Sequence, residues 1–161
     1  MTKIDSKWDA RFMRLAKEIS TWSKDPSSKI GAVIVNNDRQ ILSTGYNGFP
    51  RGIQDTEERL NNKEEKYPRI VHAELNCLMN SLYNGVSVRN GILYVYGLPV
   101  CSDCTKSVIQ AGISRVVVNM SAFNNEKWAK QWNEISKPMF QEAGVHITYL
   151  NTEHWSFDIG K

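Results

Sequence analysis

The sequence predicts an α/β protein, a three-layer α/β/α domain with a central five-stranded mixed sheet. Short segments rich in β-branched residues alternate along the chain with segments that repeat apolar residues every three or four positions. Two early strands are separated only by a polar turn, which favours an antiparallel hairpin, whereas later strands are separated by helices, which favours parallel pairing. We expect one domain over residues 1–161, since that length suits a single core.

The first helix is predicted over residues 6–22, where apolar side chains form one face and are expected in the core. These side chains are Trp8, Phe12, Leu15, Ile19 and Trp22. Asp5 or Ser6 is suited to cap the start of this helix. Pro26 helps to end it, because helical backbone is disfavoured for the residue before a proline.

The predicted hairpin joins strands over residues 30–35 and 40–46. A glycine-rich loop, residues 45–52, follows the second strand, and its glycines permit tight backbone turns. The charged segment 54–68 has two interpretations: a solvated loop or short surface helix, or a lid over a site.

The alternation continues in the second half of the chain, starting with a helix predicted over residues 72–83. Its expected apolar face comprises Leu75, Leu78, Met79 and Leu82. The elements expected next are strand 91–96, helix 101–111, strand 114–119, helix 124–143 and strand 145–150. Pro138 is expected to bend or break the helix that contains it. The tail 151–161 has no predicted element.

Composition and charge exclude several classes of function. Hydrophobic residues make up 41% and charged residues 23% of the chain, as in ordinary globular proteins. The net charge of +3 permits an anionic substrate but is weaker than the basic footprint of a dedicated nucleic-acid binder, so no stable nucleic-acid partner is expected. No apolar run approaches the roughly 18 residues of a membrane span, and the N-terminus lacks a signal-peptide core. We therefore expect a cytoplasmic protein with no membrane partner.

Four residues carry the chemistry that the sequence suggests. His72 precedes Glu74 by two positions, and Cys101 and Cys104 form a C-x-x-C pair. One imidazole and two thiolates can hold zinc and leave the fourth tetrahedral position open to water, as in catalytic zinc sites. Glu74 is then left over, and a carboxylate beside an activated water suits proton transfer. An H-x-E motif followed by P-C-x-x-C is the general signature of zinc-dependent nucleobase deaminases.

The spacing of these motifs sets where the residues must lie. Residues two apart on a regular helix point about 200° apart, so His72 and Glu74 converge only if His72 stands at the helix N-terminus. Cys101 and Cys104 likewise follow a predicted strand and open a helix. The partial positive charge of two helix N-termini would favour thiolates over thiols.

The same residues allow other interpretations. The C-x-x-C could be a redox pair, with His72 on the surface and Glu74 solvated, or a zinc ion could be purely structural. Both motifs at helix starts favour a catalytic zinc. Cys77 is expected in the core, because a fourth ligand would close the open position. His146 and His154 are expected on the surface or in the core.

Four segments carry a resemblance to a known family. They are Ser23-Lys24-Asp25-Pro26-Ser27 leading into Gly31-Ala32-Val33-Ile34, the loop 44–52, His72-Ala73-Glu74-Leu75-Asn76, and the segment 101–112. On these residues, which span most of 6–119, the chain resembles the deoxycytidylate (dCMP) deaminases of the cytidine-deaminase superfamily. The loop Gly45-Tyr46-Asn47-Gly48 points to this family over relatives that act on tRNA, guanine or riboflavin precursors.

The resemblance implies a cytidine-deaminase-like fold and the hydrolysis of dCMP to dUMP and ammonia, which supplies dUMP for thymidylate synthesis. It implies Zn²⁺ held by His72, Cys101 and Cys104, with Glu74 as the proton shuttle. Some phage relatives carry a second, structural zinc, but Cys77 is the only spare cysteine here, so one zinc per subunit is expected.

The resemblance also implies contacts with nucleotides. Asn47 is expected to contact the sugar, and the backbone near Ala73 the base, while Ser27 and Arg51 are candidate donors to the substrate phosphate. A homohexamer is implied, with dCTP as activator and dTTP as inhibitor at a subunit interface. The candidate effector contacts are Ser28, Lys29, Tyr46 and Gly48. Simple solvated loop residues remain the alternative at each of these loop positions.

One departure from the family pattern concerns the turn before the first cysteine. The pattern has proline directly before that cysteine, whereas Pro99-Val100-Cys101 displaces it by one residue in the loop that shapes the base pocket. Alternative functions are deamination of dCTP, RNA or single-stranded DNA, and a catalytically silent dCTP/dTTP sensor. Acidic residues in segment 54–68 disfavour a nucleic-acid channel, and the intact motifs disfavour a silent sensor.

Overall fold

A five-stranded mixed sheet forms the centre of the fold. The structure, a computed structural model, describes residues 6–152. Its strands are β1 (Gly31–Val35), β2 (Ile41–Tyr46), β3 (Ile92–Tyr96), β4 (Arg115–Asn119) and β5 (His146–Leu150). Their spatial order is β2-β1-β3-β4-β5, with β1 antiparallel to β2 and β3, and with β4 parallel to both β3 and β5. The predicted hairpin and the predicted parallel strands are both confirmed.

Seven α-helices lie along the described part of the chain. They are α1 (Ser6–Ser20), α2 (Glu57–Asn61), α3 (Lys63–Lys66), α4 (Ala73–Tyr83), α5 (Ser102–Gln110), α6 (Glu126–Gln131) and α7 (Lys137–Glu142). Within residues 6–152, no helix is long and apolar enough to cross a membrane.

The long helix predicted over residues 124–143 is irregular. A 3₁₀ turn, Met120–Asn124, precedes α6, and a π turn, Trp132–Ser136, joins α6 to α7. Pro138 lies in the first turn of α7, where a missing N–H costs least. The helical backbone nevertheless continues without a gap from Glu126 to Glu142, so the structure shows an irregular helix with a π turn before Pro138 and no break.

Alternation of side chains along the strands creates two cores, one on each face of the sheet. Val33 and Val35 of β1 pack in one core with Phe12 of α1. Ala32 and Ile34 belong to the other core, to which α4, α5 and α7 contribute. The structure therefore has the predicted three layers.

Two glycines let helices approach the sheet closely. A Cβ on Gly31 would lie 1.9 Å from the carbonyl oxygen of Ala16 in α1, and a Cβ on Gly45 would lie 2.4 Å from the backbone nitrogen of Cys77 in α4. Both contacts are with backbone atoms, so a larger residue would displace the helix. Gly45 thereby fixes the distance between α4 and β2, and with it the position of the α4 N-terminus.

Side chains of α4 also cover β2, the strand at one end of the sheet. Asn76 donates a 2.8 Å hydrogen bond to the Tyr46 carbonyl, and Asn80 donates one of 2.8 Å to the Thr44 carbonyl. These bonds fix the position of α4 along the length of β2, in addition to the distance that Gly45 sets.

Two expectations about apolar residues are wrong. Trp22 lies beyond the end of α1 and is 55% exposed, with its ring edge against Tyr46. Met79 and Leu82 of α4 are also exposed. The buried residues of α4 are Ala73, Glu74, Cys77, Leu78 and Ser81. Two of these, Ala73 and Cys77, are small residues whose backbone atoms lie against Gly45.

The remaining expectations concern residues near the two ends of the described chain. Trp8 is partly buried against the α1 core, as predicted, and His146 is exposed on β5. Asp5, one of the two candidate caps, and His154 lie outside the described residues.

Candidate active site

Two helix N-termini carry the predicted metal ligands. His72 is the residue immediately before α4, with φ −68° and ψ 155°, and Cys101 is the residue immediately before α5, with φ −72° and ψ 166°. Both residues have extended backbone, so the side chains of His72 and Glu74 need not obey helical spacing. The predicted placement of both motifs at helix starts is confirmed.

The three candidate ligand atoms lie within 4.8 Å of one another. Nδ1 of His72 is 3.3 Å from Sγ of Cys101 and 3.5 Å from Sγ of Cys104. A tetrahedral zinc with its usual nitrogen and sulfur bond lengths needs an N···S separation of about 3.6 Å. These residues could therefore hold a zinc ion with little movement, and among the described residues they are the only such group found.

Hydrogen bonding within this group sets its protonation. The pKa of Cys101 is lowered to about 4, chiefly because Cys104 donates to its sulfur, and the Cys104 backbone N–H adds a 3.5 Å contact. The pKa of Cys104 is raised, because it holds the proton that bonds to Cys101. The hydrogen bond with Cys101 raises the pKa of His72 to about 9. A bound cation would have to displace the protons of His72 and Cys104.

Glu74 is buried beside these ligands, at 4% exposure. The pKa of its carboxyl group is raised to about 7, chiefly by burial and also by the negative charge of Cys101, while its own backbone N–H opposes both effects. Glu74 therefore exchanges a proton near neutral pH. A buried carboxyl with such a pKa next to metal ligands is typical of catalytic sites.

A cavity of about 740 Å³ includes all four residues in its wall. Ser27, Ser28, Asn47 and Ala73 also line it, so the structure brings these predicted contacts to the metal ligands. The displaced Pro99 lines the cavity as well, whereas Val100 is buried in the core at 1% exposure. The additional residue in this turn is thus accommodated by burying Val100.

Asn47 links two loops at the cavity wall. Its Oδ1 accepts a 2.9 Å hydrogen bond from the backbone N–H of Ile30, and its Nδ2 donates one of 2.8 Å to the Ser28 carbonyl. These bonds occupy most of its polar capacity. Asn47 therefore shapes the loop 25–30 in addition to any contact with a ligand.

Four other predicted contacts do not line the cavity. Arg51 donates a 2.7 Å hydrogen bond to Asn80 Oδ1 and lies over the ring of Tyr83, on the exposed side of α4. The structure therefore does not bring Arg51 to this cavity. Lys29 donates to the Ser23 carbonyl. Tyr46 packs against Trp22, and Gly48 pairs with Val71 through a β-bridge.

Sequence reasoning assigned no role to several residues of the cavity wall, among them Asp25 and Lys66. Their side chains are each 7% exposed, and Lys66 Nζ lies 3.1 Å from Asp25 Oδ1. Asp25 appeared in the sequence analysis only within a segment that carries the family resemblance, with no role of its own. Lys66 belongs to a run of charged residues that is otherwise largely exposed, so no sequence signal distinguishes it. Short helices α2 and α3 form the charged segment, as one interpretation expected, and its end reaches the cavity.

Cys77 is a core residue, as expected. It is fully buried, and burial raises the pKa of its thiol to about 12. It takes no part in the ligand group.

A histidine and two cysteines arranged for zinc, with a buried glutamate in the same cavity, are the residues of a zinc-dependent nucleobase deaminase site. The family model described as "Cytidine and deoxycytidylate deaminase zinc-binding region" matches residues 6–120. The chain belongs to this family.

Named relatives agree with this membership. An "Uncharacterized deaminase in luxG 3'region" of Aliivibrio fischeri is 36% identical over 148 residues, which covers 90% of this chain and 95% of the relative. The deoxycytidylate deaminase of Homo sapiens is 37% identical over 145 residues, covering 86% of this chain and 76% of the relative. The crystal structure of the dCMP deaminase from the cyanophage S-TIM5 in complex with dCMP and dUMP has a similar fold, with a TM-score of 0.69 and 24% identity over 93% of this chain and 100% of that one.

Proposed function

We propose that this chain catalyses the hydrolytic deamination of dCMP to dUMP and ammonia. The observation that carries the proposal is that the buried carboxyl group of Glu74 shares one cavity with the ligand atoms of His72, Cys101 and Cys104. Relatives named deoxycytidylate deaminases support dCMP as the substrate.

His72, Cys101 and Cys104 would hold the zinc ion, and the chemistry that zinc supplies there is activation of water for attack on a ring carbon near neutral pH. Glu74 in its carboxylate form accepts a proton from the attacking water and delivers it to N3 of the cytosine. A second proton passes through the same carboxyl group to the exocyclic nitrogen, which leaves C4 as ammonia. In the metal-free site burial raises the pKa of Glu74 to about 7, and the positive charge of a bound zinc ion would favour the carboxylate form that accepts the first proton.

The cavity suits a nucleotide in size and charge. Its volume, about 740 Å³, is in the range of small-molecule sites. Lys66, Lys106 and Lys127 line it; Lys66 and Lys106 pair with Asp25 and Asp103 of the same wall, so Lys127 contributes most to the attraction of an anionic ligand. Ser27, Asn47 and the backbone at Ala73 are the proposed phosphate, sugar and base contacts.

Incubation of the zinc-loaded protein with dCMP, dCTP, deoxycytidine, CMP and a cytosine-containing DNA oligonucleotide tests the proposal. Ammonia release should be fastest with dCMP and be matched by dUMP. Turnover of dCTP alone, or of the oligonucleotide alone, would contradict dCMP as the substrate. Thermal stabilisation by dTTP with no turnover of any compound would instead indicate a nucleotide sensor.

We propose in addition that the protein is a homo-oligomer, expected to be a hexamer, in the reducing cytoplasm. The exposed apolar residues Met79, Leu82 and Tyr83 on α4 support assembly, and the three unpaired cysteines support a reducing compartment. Regulation by dCTP and dTTP would use the loops that contain Ser28 and Tyr46. Light scattering and activity assays with each nucleotide test assembly and regulation separately.

A further inference from the structure

A buried ion pair joins two loops at the cavity wall. Lys66 is the last residue of α3, and apart from Leu60 it is the only buried residue of α2 and α3. Its ammonium lies 3.1 Å from Asp25 Oδ1 and 3.2 Å from Ser27 Oγ. A buried ion pair is an inefficient way to stabilise a fold, because both charges lose their hydration. Its position in a cleft suggests a role in binding.

Asp25 is the centre of this arrangement. Its Oδ1 accepts hydrogen bonds from the backbone N–H groups of Ser27, at 2.8 Å, and Ser28, at 3.3 Å. Its Oδ2 lies 3.4 Å from Nδ2 of Asn47. Lys66 therefore neutralises the carboxylate that shapes the turn 25–28 of the cavity wall.

The chemistry of the Lys66–Ser27 contact fixes the direction of the serine hydroxyl. An ammonium group has only donors, so Ser27 Oγ must accept the hydrogen bond from Lys66. The Ser27 hydroxyl proton then has to be donated elsewhere, and Ser27 lines the cavity. A hydroxyl polarised by an ammonium group is a good donor to a phosphate oxygen.

We propose that Lys66 is a positioning residue for nucleotide binding, which orients the Ser27 hydroxyl as a donor to the phosphate group of the ligand. This inference rests on the proposed function, in which the substrate is a nucleotide. It adds that Lys66, through Ser27, makes the site prefer a nucleotide over a nucleoside. Lys66 acts through Asp25 and Ser27, and not on the reacting atoms.

The test measures the affinities of the zinc-loaded protein for dUMP and deoxyuridine by calorimetry, since neither product is turned over. Wild type should bind dUMP more tightly, and Lys66→Met and Ser27→Ala should each lower that preference by about tenfold. In the double variant the preference for dUMP should fall little further than in Ser27→Ala alone, because the two residues act as one unit. With dCMP, KM should rise while kcat changes little.

Asp55→Asn is the matched control. Asp55 pairs with Lys24 at 3.0 Å and so connects the same two segments, but this pair is exposed and does not line the cavity. The control should keep the preference for dUMP. If Lys66→Met fails to fold, Ser27→Ala still tests whether the Ser27 hydroxyl produces the preference for dUMP, because this variant leaves the ion pair in place.

Several outcomes would overturn the inference. They are equal affinity of wild type for dUMP and deoxyuridine, an unchanged preference in Ser27→Ala, and additive losses in the double variant. The proposed function fails on a different result. If the preference for dUMP depends on Lys66 and Ser27 but no ammonia is released from dCMP, the role of Lys66 stands and the proposed deamination is wrong.

Discussion

Tyr94 donates a 2.6 Å hydrogen bond to Oδ1 of Asp9, which lies 85 positions earlier in the chain. Arg115 contacts the same carboxylate at 2.6 and 3.1 Å, and Asp9 is 1% exposed. This cluster joins α1 to β3 and β4. Burial and the carboxylate keep the pKa of Tyr94 above its usual range, so the phenol remains a donor.

Asp9→Asn should lower the free energy of unfolding by about 3 kcal/mol, because it leaves the Arg115 charge without its partner in a partly buried position. Urea unfolding followed by circular dichroism measures the change. Glu65→Gln, which breaks the more exposed pair between Glu65 and Arg69, should have a much smaller effect. Equal effects of the two substitutions would show that the Asp9 cluster contributes no more than a surface ion pair.

Glu74→Gln should abolish turnover of dCMP while zinc remains bound. The amide cannot transfer protons, so we expect a loss of about 10²–10⁴ in kcat. Zinc content by mass spectrometry and dUMP formation by chromatography are measured on the same sample. Glu64→Gln, on the exposed side of α3, serves as the control. Activity retained in Glu74→Gln would assign the proton transfer to another group.

Zinc binding should release protons and strengthen as pH rises. His72, with its pKa raised to about 9, and Cys104, whose pKa is also raised, are protonated at pH 7 but must lose their protons to become ligands. About two protons should therefore be released for each zinc at pH 7. Calorimetry in buffers of different ionisation enthalpy counts them. No proton release, or tighter binding at pH 6 than at pH 8, would contradict this ligand assignment.

Gly45→Ala should destabilise the fold by about 1–3 kcal/mol, since the added Cβ would meet the backbone of α4. Zinc affinity should also fall, because the displaced helix carries His72. Gly48→Ala is the matched control, as its Cβ would meet only the Tyr46 ring at 3.8 Å. Thermal unfolding and zinc titration of both variants separate the effects on fold and metal site.

The candidate metal ligands could be proposed from sequence because the H-x-E and C-x-x-C motifs carry residue types that suit zinc. His72 and Glu74 stand two apart, and only a helix N-terminus lets such side chains converge. The β-branched runs identified the strands in the same way, since local composition reports local conformation.

Other features depend on long-range packing and could not be predicted from local patterns. Periodicity placed Trp22 on the α1 face, but it does not say where the helix ends, and α1 ends at Ser20. Apolar residues on α4 suggested a buried face that includes Met79 and Leu82, but the structure leaves these two exposed and buries Ala73 and Cys77 beside Gly45. In the sequence Lys66 does not differ from a solvated lysine, because its partner Asp25 lies 41 positions away along the chain.

The covering of β2 by Asn76 and Asn80 has a consequence for the behaviour of the protein in solution. Exposed edge strands offer unpaired carbonyls to which another chain can add, and this is a common route to aggregation. Here two of those acceptors are already occupied. A strand from another molecule would therefore find two fewer free acceptors at this end of the sheet.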